Sequence, residues 1–63
     1  MNKAITIEEQ GDGTFSIFPG AAMHGVHDEP VHDVADESEA LSEAEGIADD
    51  VEDELGWRPM VTR

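Results

Sequence analysis

The sequence predicts an α+β domain: a small antiparallel sheet, made of a β-hairpin plus one or two short strands, packed against a single amphipathic acidic helix. Three observations carry that prediction. Two short runs rich in β-branched and aromatic residues flank a Gly11-Asp12-Gly13 turn. One apolar stripe recurs at helical spacing between Ala40 and Leu55. Each of the two apolar faces is too small to be stable alone, so the sheet and the helix must cover one another. With 63 residues there is room for one such domain, spanning residues 1–63.

The elements follow in order. Lys3-Ala4-Ile5-Thr6-Ile7-Glu8 alternates as a half-buried strand does, and Thr14-Phe15-Ser16-Ile17-Phe18 alternates again, with Phe15 and Ile17 beside Ile5 and Ile7. Pro19-Gly20 ends the second strand. Residues 20–30 read as loop, punctuated by Gly20, Gly25 and Pro30, and Val31-His32-Asp33-Val34 fits a short third strand. Asp36 has the chemistry of an N-cap, with Glu39 three residues on as in a capping box. Ala40, Leu41, Ala44, Ile47, Ala48, Val51 and Leu55 then line one side of a helix running from about Glu37 to Leu55. Gly56 stands where a left-handed C-cap residue belongs. Trp57 and Met60 are expected to fold back over the helix end, and Pro59 to Thr62 to add an edge strand.

Charge sets the functional reading. The chain holds 16 Asp and Glu against 3 Lys and Arg, a formal net charge of −13. Low hydropathy with high charge is the signature of disorder, but the apolar periodicity argues for a fold. Anionic membranes and nucleic acid would both repel this chain, so direct nucleic-acid binding and membrane association are not expected. No apolar run reaches the length of a bilayer span, and no signal-peptide layout opens the sequence. Cysteine is absent, which removes disulfides and thiolate metal sites. A chain this short has little means to build both a core and a water-excluding pocket, so no catalytic residue, no cofactor and no enzymatic activity are expected.

Ten of the acids crowd between Asp36 and Glu54, where the sequence has no base. Glu39, Glu43, Asp49, Asp50, Glu52 and Asp53 lie off the apolar stripe and form the candidate partner-binding face. A face chosen for solubility and helicity mixes Glu with Lys at four-residue spacing. This one does not, and it sets acids against the negative pole of the helix dipole, at about 0.3–1 kcal/mol each. Over a helix roughly 28 Å long the density is about one charge per 2.8 Å of axis, close to the ~3.4 Å phosphate spacing of a DNA strand. The partner that fits is a basic nucleic-acid-binding protein, met by a monomer.

Histidines give a competing class. His24, His27 and His32 lie among Asp28, Glu29 and Asp33, a donor set that a divalent cation accepts in principle. Their spacing matches no established zinc pattern, so no metal ligand is assigned and a polar loop is the simpler reading. For Gly11-Asp12-Gly13, a hairpin turn is favoured over a calcium loop, whose ligand alternation is missing.

The run Ile5-Thr6-Ile7, the Gly11-Asp12-Gly13 turn, Phe15-Ser16-Ile17-Phe18-Pro19-Gly20 and the helix opening Asp36-Glu37-Ser38-Glu39-Ala40-Leu41 resemble the N-terminal domain of HicB-type antitoxins. That resemblance implies a β-β-β-α-β partial ribonuclease-H-like fold and an acidic cover for a small basic RNA-cutting toxin. In size and charge the whole chain also looks like the small acidic anti-CRISPR proteins of phages, type I-C inhibitors in particular. This second likeness implies a viral inhibitor of host defence in the bacterial host cytoplasm. Such an inhibitor would be a DNA mimic on the large subunit of a type I CRISPR surveillance complex, where that subunit recognises the protospacer-adjacent motif.

Overall fold

Residues 4–20, 25–27 and 29–63 are described in the structure, a computed structural model. Strand β1 (Ala4–Glu9) pairs antiparallel with β2 (Phe15–Phe18). The turn between them is closed by two backbone bonds: Gly13 N donates to Gln10 O at 3.1 Å, and Gln10 N to Thr14 O at 2.8 Å. Gly13 takes a φ of 88°, the left-handed geometry a hairpin of this length demands of one residue. Asp12 adds a local lock, accepting from Thr14 Oγ1 at 2.7 Å and Thr14 N at 3.1 Å.

Those two bonds, the hydroxyl's first, hold the Asp12 carboxyl below its usual pKa. A depressed carboxyl pKa stabilises the fold above the unfolded value of about 3.9 and loses that contribution as pH falls through the folded one. Asp12→Ala therefore should lower the melting temperature at neutral pH, with the gap to the parent chain closing as the solution is acidified through the lowered carboxyl pKa. Thermal melts followed by circular dichroism across that range check it, and a gap independent of pH would refute it.

Strand β3 (Val31–Val34) pairs antiparallel with β2, joining Phe15 to Val34 and Ile17 to Val31. One residue of β2, Ser16, thus faces two of β3, His32 and Asp33. This is a bulge, and Asp33 absorbs it at a φ of 61°, which Asp tolerates better than most residues. The extra residue turns Val34 inward, where it is buried, and Val31 is packed against the same core. In a regular strand residues three apart would point to opposite faces.

Helix α1 (Glu37–Leu55) follows at once. Asp36 caps it in extended conformation, its side chain accepting from Glu39 N at 2.8 Å. Gly56 ends it at a φ of 81°, its N–H returned to Glu52 O. Both boundaries fall where the capping residues place them. Strand β4 (Met60–Thr62) then adds to the far side of β1, giving the sheet order β3-β2-β1-β4.

The sheet is mixed, not wholly antiparallel as the sequence suggested. β4 runs parallel to β1. Direction follows from connectivity: β3 is antiparallel to β2 and so parallel to β1, and the helix carries the chain back along the sheet before β4 starts. A strand entered after such a crossover runs the same way as the strand before it.

Ile5, Ile7, Ile17 and Val34 from the sheet meet Ala40, Ala44, Ile47, Ala48 and Val51 from the helix in one buried core. Phe15, Leu41, Leu55, Trp57 and Val61 are half-buried around it. Three alanines on the helix stripe let its backbone approach the sheet, so bulk comes from the strand isoleucines. Trp57 is half-buried against the core, but Met60, expected to fold back over the helix end with it, is 69% exposed. The register accounts for this. Val61 lies opposite Ile5 and takes the core side, which leaves Met60, opposite Ala4, on the other face.

Candidate acidic interface

Helix geometry divides the acids into two flanks. With about 100° per residue, Glu45, Asp49 and Glu52 fall on one side of the buried stripe. Glu39, Glu43, Asp50 and Glu54 fall on the other, and Asp53 lies near the crest between them. The structure treats the two flanks differently.

The first flank is partly compensated from within. After Gly56 the chain doubles back, and Arg58 lies along α1. Its Nη1 donates to Asp49 at 2.5 Å and to Glu52 at 3.5 Å, and its Nη2 donates to Glu45 at 2.7 Å. The bonds to Asp49 first, and then to Glu45, hold the guanidinium charged well above its already high pKa. The sequence offered no sign of this, because the contacts span six to thirteen residues and leave the helix. A face without bases in sequence is therefore not one in space. Arg63 makes a comparable link at the other end, donating to Glu37 in the first helical turn.

These contacts carry a stability role. No base sits in the last turn of α1, and its carboxylates meet the negative dipole end. Arg58 is the compensation. Arg58→Gln is expected to lower the melting temperature, and added salt should shrink the difference because exposed ion pairs are screened. Melts in about 10 mM and about 1 M NaCl, where the Debye length falls from roughly 30 Å to 3 Å, check both; equal melting temperatures at low salt would remove the compensating role.

The second flank keeps its charge. Glu39, Glu43, Asp53 and Glu54 have no ion pair among the described residues. Asp50 accepts from His27 Nε2 at 2.7 Å. His27 comes from the loop before β3 and holds a left-handed φ of 51°. Between Glu43 and Asp50 the helix carries Gly46, and nothing lies within 4 Å of where its Cβ would stand. The result is an open groove of about 410 Å³, lined by His27, Ser42, Glu43, Gly46, Asp49 and Asp50 and floored by Ile47. Of the six residues singled out from the sequence, Glu39, Glu43, Asp50 and Asp53 thus share the open side of the helix, while Asp49 and Glu52 are engaged by Arg58.

The two described histidines make separate contacts. His27 is on the helix flank, whereas His32 of β3 shares a 3.0 Å hydrogen bond with the buried Ser16 and meets Phe18 edge-on at 5.9 Å. His24 and Asp28 lie outside the described residues. Among the described residues no group of three or more His, Cys, Asp or Glu is arranged to hold a metal ion, and no helix is long and apolar enough to cross a membrane.

No protein-family model, no curated protein and no solved structure matches this chain.

Proposed function

We propose that this chain is an acidic nucleic-acid mimic: an inhibitor that seats the open flank of α1 in the Arg/Lys-lined channel of a nucleic-acid-binding protein. The target class suggested by its likeness to small acidic phage inhibitors is a type I CRISPR surveillance complex, at the site where the large subunit first contacts target duplex. One observation carries the reading. Glu39, Glu43, Asp53 and Glu54 on α1 have no ion pair among the described residues, whereas Glu45, Asp49 and Glu52 are bonded by Arg58.

Physical economy supports it. An exposed row of like charges costs stability through self-repulsion, and the core beneath it holds only small alanines and a few β-branched residues. Held on a helix, the carboxylates start from a backbone that is already ordered, which lowers the entropic cost of association. Their field also steers a basic partner over long range. Inhibition is then steric and electrostatic competition, with no covalent chemistry.

The deciding experiment is an exclusion assay. A purified type I surveillance complex is saturated with this protein, and its binding to target duplex is read by gel shift or anisotropy. Mutual exclusion, weakened for both ligands by rising salt, is the expected result. Normal DNA binding by the saturated complex would falsify the mimic.

A second reading keeps the charge logic and changes the target to a small basic ribonuclease toxin. Its motive is the likeness to HicB-type antitoxins, whose implied strand and helix order is the order β1-β2-β3-α1-β4 takes here. Fold order alone does not carry function. Protection of RNA from a basic nuclease encoded beside this chain, with no effect on the surveillance complex, would favour it.

A further inference from the structure

The acidic flank accounts for attraction but gives little grip, because exposed ion pairs contribute only about 0–1 kcal/mol each. Tight interfaces add an apolar anchor inside a charged rim. One place on this fold has that character. Met60 is the large hydrophobic residue left exposed among the described residues, at 69%. With Ala4, Trp57 and Arg58 it lines a mainly apolar groove of about 420 Å³ at the β4 edge of the sheet.

We infer that this groove is the anchor point of the interface, taking one aliphatic side chain from an extended, Arg/Lys-flanked segment of the basic partner. The inference rests on the reading of the acidic helix as a docking face.

Three features select that occupant. The first is position: Arg58 forms one wall of the groove while its guanidinium is held by Glu45, Asp49 and Glu52, so the groove adjoins the engaged flank of α1, where carboxylates outnumber the base. The second is charge. Around the groove one guanidinium stands against three carboxylates, and the whole chain carries −13. A second copy would meet that charge with its own, whereas a cationic segment is drawn in. The third is the edge itself. β4 is the last strand of the sheet order, so its outer backbone groups face no further strand among the described residues. The opposite edge is blunted by the bulge at His32-Asp33; β4 has no such bulge. An extended chain laid along β4 gains backbone hydrogen bonds and sets alternate side chains toward the groove.

Trp57 is the chain's one tryptophan and lines the groove, so its emission reports occupancy directly. The probes are two tryptophan-free peptides: one places a single leucine between arginines, and its twin has serine in place of leucine. At low ionic strength both are expected to bind. The leucine peptide should bind roughly tenfold tighter, as burial of one aliphatic side chain allows, and should shift the emission of Trp57. Met60→Ser, at an exposed position, should keep the fold by circular dichroism and the salt-dependent binding but lose the preference for leucine.

Equal binding of the two peptides with unchanged emission would overturn the anchor while leaving the acidic docking face intact. Failure of both peptides to bind at low salt would remove the docking face, and the anchor with it. If the chain alone dimerises in sedimentation with a matching shift of Trp57 emission, the groove belongs to a second copy and the inference fails.

Discussion

Val51→Asp unfolds this protein at neutral pH. Val51 is fully buried in the middle of the α1 stripe, under the sheet isoleucines Ile5 and Ile17, which are also 0% exposed. A chain of this size has a net stability of roughly 3–9 kcal/mol, taking about 0.05–0.15 kcal/mol per residue. The substitution removes about 1.5–3 kcal/mol of apolar burial. It also places a carboxylate in a core that offers no base, at several kcal/mol more for an uncompensated buried charge. The sum reaches or exceeds the whole stability. Ile47→Asp acts the same way but less completely, because Ile47 lies at the wall of the open groove and a carboxylate there has a path to water. Circular dichroism should show Val51→Asp without a cooperative melt. Val51→Ala should melt cooperatively at a reduced temperature, and Ser42→Asp on the exposed side should change stability by no more than about 0.5 kcal/mol. A cooperative melt of Val51→Asp near the parent temperature would mean that sheet and helix do not share this core.

That core was legible in the sequence because its signals are local. Ile5 and Ile7 sit two apart and Ala40, Ala44, Ile47, Ala48 and Val51 three or four apart, periods the backbone itself imposes. Asp36 and Gly56 bounded the helix because each satisfies backbone groups within the next or previous turn. Signals failed where geometry is set at a distance. The alternation of Val31-His32-Asp33-Val34 is wrong for a plain strand, since the bulge that corrects it depends on pairing with Ser16. The parallel placement of β4 is a property of the crossover, and three residues carry no mark of it. The candidate site was half legible. Its carboxylates could be counted and assigned to the outside of the helix, but their division into an engaged and an open flank hangs on Arg58 and His27. Those two reach α1 from loops at opposite ends of the helix in sequence.

Under the proposed docking, simultaneous replacement of Glu39, Glu43, Asp50 and Asp53 by Lys is expected to abolish binding to the basic target, whereas replacing two carboxylates of the other flank by Gln is expected to keep most of it. The reason is the asymmetry that Arg58 creates. On the open flank Glu39, Glu43 and Asp53 are available to a cation of the partner while Asp50 is bonded to His27, so a single replacement removes at most one screened pair, at about 0–1 kcal/mol. Four reversals remove these attractions and set like charges opposite the partner's own. At about 1.4 kcal/mol per tenfold, a combined loss near 4 kcal/mol already weakens binding by roughly 10³-fold. On the engaged flank, Glu45, Asp49 and Glu52 spend their charge on Arg58. Replacing Glu45 and Glu52 by Gln, with Arg58 kept as the groove wall and bonded to Asp49, removes two negative charges and leaves the open flank unchanged. That variant should keep most of its affinity. All variants leave the buried stripe untouched, so circular dichroism should confirm that each still folds. Titration against the surveillance complex at several salt concentrations then gives two readouts, the affinity and its slope against log salt. The open-flank variant should lose both, and the engaged-flank variant neither. Equal losses from the two sets, although the open-flank variant changes the net charge by about eight units and the engaged-flank variant by about two, would mean that the open flank of α1 does not direct this protein to its partner.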